Sequence, residues 1–85
     1  KLDVKDKQIL DDLNKAIEIK DLAFIRIFRG RIFRSTGAID KALADFNFAI
    51  GQTPDNTLAY VDRGLTYEIM GELEKARAML AANPI

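Results

Sequence analysis

Apolar residues along this chain recur at helical rather than strand spacing. In the first segment Ile9, Leu10, Leu13, Ala16 and Ile17 share one side of a helix, with Asp6 placed to cap its start. Asp21 is placed to cap a second helix running to about Ser35, and Gly37 breaks it. A third helix carries Ala42, Phe46, Ala49 and Ile50 on one stripe. The stretch from Gly51 to Asn56 holds Pro54-Asp55-Asn56, a turn and cap signature. The same signals predict a fourth helix to Met70, a break at Gly71, and a fifth helix to about Ala82 before Asn83-Pro84.

The elements repeat. Shifting the sequence by 34 residues aligns 23–51 with 57–85 and matches Arg29/Arg63, Gly30/Gly64, Gly37/Gly71, Lys41/Lys75, Ala42/Ala76 and Ala44/Ala78 identically. Ile27/Val61, Phe33/Tyr67, Ile39/Leu73, Asp40/Glu74 and Phe46/Leu80 keep their character. A partial copy lies upstream: Asp12-Leu13-Asn14-Lys15-Ala16-Ile17 aligns with Asp45-Phe46-Asn47-Phe48-Ala49-Ile50 at a shift of 33. Matches on small and aromatic residues are those that set helix packing. The chain therefore divides into half a repeat at 1–20, a full repeat at 21–53 and a nearly complete one at 54–85, all within a single domain 1–85.

A helix-turn-helix unit of this length resembles the tetratricopeptide repeat. Gly30, Phe33, Ala42, Phe46 and Pro54 match its pattern in the first full repeat, and Tyr60, Gly64, Tyr67, Ala76 and Leu80 in the second. Two departures stand out. Arg26 takes the place of the first aromatic, and Arg29 and Arg63 take the place of Leu, an Arg-Gly pairing that looks like a bacterial flavour of the repeat. The resemblance implies an all-α, right-handed helical solenoid of about five antiparallel helices. It also implies that the first helix of each hairpin lines a concave groove, here Phe24, Ile27, Phe28, Arg31 and Arg34, then Leu58, Val61, Asp62, Leu65 and Glu68. Some members of the family clamp a C-terminal carboxylate with Lys and Asn in that groove. Ile27, Arg31 and Asp62 stand at the corresponding places here, so the clamp is not expected.

Charge adds polarity but no overall sign. Lys plus Arg equals Asp plus Glu, 13 against 13, among 85 residues. Residues 22–35 carry Arg26, Arg29, Arg31 and Arg34 without an acid, whereas 52–74 carry five acids and one base. Two explanations stay open: neighbouring repeats neutralising each other, or an acidic, partly apolar protein segment docked on the first hairpin. Zero net charge argues against nucleic acid. Arg29 and Arg63 sit beside the glycines on the packed side of their helices, where an unpaired guanidinium is unfavourable. The repeat pattern predicts Asp12 as the partner of Arg29 and Asp45 as the partner of Arg63.

The chemistry-bearing residues are few. There is no Cys and no His, which removes thiol and imidazole chemistry and the commonest zinc ligands. The glycines fall at repeat spacing rather than in a phosphate loop, and no constellation of nucleophile and base is visible. No catalytic residue, metal or cofactor is expected. No apolar run is long enough to span a membrane, so a soluble chain is expected, with the compartment open and the cytoplasm favoured. The expected function is a protein–protein interaction module or scaffold. The alternatives are self-assembly through Leu73, Met79 and Leu80 on an end helix without a cap, and an accessory domain of a larger enzyme.

Overall fold

In the computed structural model, which describes residues 2–82, the chain is all-α. The four helices are α1 (Val4–Ile19), α2 (Ala23–Ser35), α3 (Ile39–Gln52) and α4 (Thr57–Ala82). Each helix packs on the next, and α2 also touches α4 directly. Helices α2, α3 and α4 all touch one another, and the Cα trace is 14 Å deep in its thinnest direction, about one interhelix spacing more than a single helix, so the helices stack two deep.

Local chemistry sets most of the boundaries. The Asp3 carboxylate accepts the Asp6 N–H at 2.7 Å, so α1 is capped one turn earlier than expected and Asp6 lies in its first turn. Leu22 occupies the N-cap of α2 and gives it no side-chain cap; the expected cap, Asp21, is engaged elsewhere. At the end of α2, Gly37 has φ +88°. The Ala38 N–H reaches the Phe33 carbonyl at 2.8 Å and the Gly37 N–H reaches Arg34 at 3.2 Å. This closing pattern favours glycine, because a side chain is strained at positive φ. The Asn56 side chain then caps α4 by accepting the Ala59 N–H at 3.2 Å.

One expected boundary is missing. Gly71 does not break the chain, and α4 runs on for 26 residues, about 39 Å. There are therefore four helices where five were expected. A glycine inside a helix is unfavourable by only about 1 kcal/mol relative to alanine. Gly37 follows Ser35-Thr36, whose hydroxyls bond back to the Ile32 and Phe33 carbonyls at 2.8 and 3.1 Å. Gly71 is flanked instead by Met70, Glu72, Leu73 and Glu74, mostly good helix formers. The expected stop at Asn83-Pro84, and the side chains of Met79 and Leu80, lie outside what is described.

The core sits where α2, α3 and α4 meet: Ile27, Ala42, Phe46, Ala49 and Ala59. Burying Phe46 completely contributes about 1.5–3 kcal/mol. Gly30 makes this possible, since a Cβ there would lie 2.6 Å from the Phe46 ring. That contact fixes the register of the α2–α3 hairpin. Lys41 near Phe33 at one end and Arg26 stacked on Phe48 further along show the two helices antiparallel.

Candidate functional site

The four arginines of α2 fall into two pairs at spacing i, i+3, and each pair grips one buried carboxylate. Asp45 on α3 has a side chain only 1% exposed. Arg29 donates to it through Nε at 2.8 Å and Nη2 at 2.7 Å, and Arg26 Nη1 adds a third bond at 3.1 Å. Arg26 also holds Asp21 in a two-pronged contact at 2.8 and 2.7 Å and lies 3.9 Å above the Phe48 ring. Its hydrogen bonds to Asp21 raise the Arg26 pKa, and the same bonds hold the Asp21 carboxyl below its ordinary value despite partial burial.

The second pair faces α4. Arg31 Nε reaches Asp62 Oδ2 at 2.9 Å, and Arg34 Nη1 reaches Asp62 Oδ1 at 3.0 Å and its carbonyl at 3.2 Å. The Thr66 hydroxyl, fully buried, donates to that same carbonyl at 2.7 Å. Among the described residues no buried side-chain nitrogen or oxygen lacks a hydrogen-bond partner.

These clamps change the expected site. Arg31 and Arg34 are held by Asp62 and are not free anchors for an acidic partner. Asp62 is buried between them rather than facing a groove. Ile27 is also a core residue rather than a groove residue, 3% exposed. The cause is common to all four. The sequence reading packed α2 on one side only, whereas it packs on α1, α3 and α4, so more of its circumference is buried.

The expected ion pairs are replaced as well. Arg29 does not meet Asp12, which is exposed; it meets Asp45 of its own hairpin. Arg63 does not meet Asp45; its Nη1 donates to Asn47 at 2.9 Å. The contact with the preceding repeat nonetheless exists in both places, because Arg29 Nη1 donates to Asn14 at 2.9 Å. The register of Gly30 on Phe46 sets Asp45 opposite Arg29, and the preceding helix then presents the residue two positions further on, an amide. The aligned hexapeptides carry that signal in Asn14/Asn47.

What remains exposed of the expected groove is mainly apolar. Phe24 and Phe28 are about half exposed and meet edge to face, with centroids 6.1 Å apart. On α4, Leu58, Val61, Leu65 and Ile69 form an exposed stripe at helical spacing, with Glu68 beside it. The Arg31–Asp62–Arg34 clamp lies between the two sets. A recess lined by Leu22, Phe24, Thr53 and Asn56 opens at the start of α2. Among the described residues, no group of three or more acidic side chains is arranged to hold a metal, and no helix is long and apolar enough to cross a membrane. Scans against protein-family models, curated proteins and solved structures found no match.

Proposed function

We propose that this chain is a protein–protein interaction module of the tetratricopeptide type, which holds a partner segment along the surface of α2 and α4. The observation that carries this reading is the set of six exposed apolar side chains, Phe24, Phe28, Leu58, Val61, Leu65 and Ile69, on two helices in contact. Folding alone gives no reason to leave so many large apolar groups together in water. The repeat supports the family assignment: Arg29 to Asn14 and Arg63 to Asn47 are the same bond made twice, one repeat apart.

Leu58 to Ile69 spans about 16 Å, roughly three turns of a partner helix. The partner presents apolar residues to the stripe. A carboxylate on it would meet Arg31, whose side chain keeps 37% exposure, only in competition with Asp62. Reversing Arg31 and Arg34 is a poor test, because it strands Asp62 and loosens α2 from α4. Replacing Phe28 and Leu65 with Ser removes two apolar anchors and brings no new carboxylate to the Arg31–Asp62 clamp. Binders selected from a random 16-residue peptide library should carry clustered apolar residues and lose at least about tenfold in affinity for this double variant, about 1.4 kcal/mol. Binders indifferent to it refute the reading.

A further inference from the structure

The first hairpin shows what a finished joint between repeats looks like, and it exposes two unfinished halves. On α3 the face toward α2 carries Ala42, Asp45, Phe46 and Ala49, all buried. The same repeat positions on α1 are Ile9, Asp12, Leu13 and Ala16. None of these is buried: Ile9 and Asp12 are exposed, and Leu13 and Ala16 are partly so. On α2 the complementary face carries Gly30, buried under Phe46, and Phe33. Its counterparts on α4, Gly64 and Tyr67, are exposed, and a Cβ at Gly64 would meet nothing within 4 Å among the described residues. Helix α4 thus carries the first half of a hairpin joint and α1 the second half.

The charges match too. Arg29 bridges two partners, Asn14 of the preceding helix and Asp45 of the following one. Arg63 has the first of these, Asn47, and among the described contacts no carboxylate as the second. Asp12 is the repeat equivalent of Asp45 and makes no ion pair among the described residues. Residues 72–82 could approach α4 only by breaking the helix at Gly71, and the repeat would then bring Met79, not an acid, to Arg63.

We infer that α4 of one copy and α1 of the next form a head-to-tail joint that copies the α2–α3 hairpin, with Leu13 seated over Gly64 and Asp12 paired to Arg63. Such a contact joins two different surfaces, so unless two copies offer both surfaces to each other at once it runs on to a ladder of oligomers or a ring. The joint uses neither the apolar stripe nor the clamped arginines, so it stands or falls independently of the function proposed above.

Sedimentation equilibrium of the chain over a concentration series tests it. The wild-type mass should rise above that of the monomer as concentration approaches about 1 mM, the range of weak interfaces. Gly64→Leu fills the open seat without a clash in the monomer; it should keep the helical circular dichroism yet weaken association at least tenfold. Asp12→Arg and Arg63→Asp should each weaken it to a similar degree. An equimolar mixture of those two variants should restore association, because the intact Arg63 of one meets the intact Asp12 of the other. Leu65→Glu should leave association unchanged. A monomeric mass throughout, a Gly64→Leu chain that associates like wild type, or a charge-reversed mixture that fails to recover overturns the joint.

Discussion

Replacing Asp45 with alanine removes the acceptor of three guanidinium hydrogen bonds, at 2.7, 2.8 and 3.1 Å. Breaking one side of a buried pair typically destabilises by about 3–5 kcal/mol. Three features place this site at the lower end. Arg26 keeps its two-pronged contact with Asp21, Arg29 keeps Asn14, and both side chains retain about one fifth of their exposure. The expected loss is therefore about 3 kcal/mol, a large part of the roughly 4–13 kcal/mol usual for a domain of this size. The companion variant decides whether stranded charge is the cause. Asp45 lies beside Ala42, Phe46 and Ala49, so leucine there enters an apolar setting, and Arg29→Met removes the charge that would be stranded. The double variant Asp45→Leu/Arg29→Met should lie within about 1 kcal/mol of wild type, well short of the sum of the single losses. Urea unfolding followed by far-UV circular dichroism measures both, with Asp45→Ala lowering the midpoint by roughly 2–3 M. A loss below about 1 kcal/mol for Asp45→Ala, or additive losses in the double variant, refutes the claim that the carboxylate is held by buried charge pairing.

Two glycines should respond with opposite sign. Gly30→Ala drives a Cβ into the Phe46 ring and should lower stability by about 1–3 kcal/mol, whereas Gly71→Ala, in open space within α4, should raise it by up to about 1 kcal/mol in the same urea assay. Acid should weaken the fold through Asp21: its folded pKa is depressed, so its contribution is present above about pH 4, its unfolded range, and is lost as pH falls through the lower folded value. Asp21→Asn should flatten the decline of the urea midpoint below pH ~4, and an unchanged profile would show that its contact with Arg26 is not linked to folding.

The helices up to the start of α4 are legible in the sequence because apolar spacing and a breaker coincide there, although the expected caps Asp6 and Asp21 do not cap. Gly71 shows what happens when a breaker stands alone. It shares a repeat position with Gly37, but Gly37 has hydroxyl residues before it that close the turn, and Gly71 does not. The arginine partners were not legible for a different reason. Counting charge shows that α2 is basic and the following segment acidic, which leaves both internal neutralisation and partner docking open. Which aspartate meets which arginine depends on how each helix is rotated about its axis. That rotation is set by a contact distant in sequence, the Phe46 ring over Gly30. The same rotation buries Ile27 and Asp62, two residues that a one-sided view of α2 assigns to the groove.

The spacing of the arginines then carries a meaning that composition hides. Arg26 and Arg29 point to one side of α2, and Arg31 and Arg34 lie roughly 140° further round the helix. One pair reaches α3 and the other α4, so a single helix fixes the angle to two neighbours at once. A small helical stack with a five-residue core cluster has little apolar packing to define those angles by itself. A buried carboxylate gripped by two guanidinium groups adds little net stability, but every shifted stacking leaves a charge without its partner. The clamps act on specificity of packing more than on stability. This also explains how the exposed stripe is tolerated: with the α2–α4 angle held by Asp62, Phe24, Phe28, Leu58 and Leu65 need not collapse onto each other to keep the helices in place. They are left in water at a fixed separation, the state that the proposed binding surface requires.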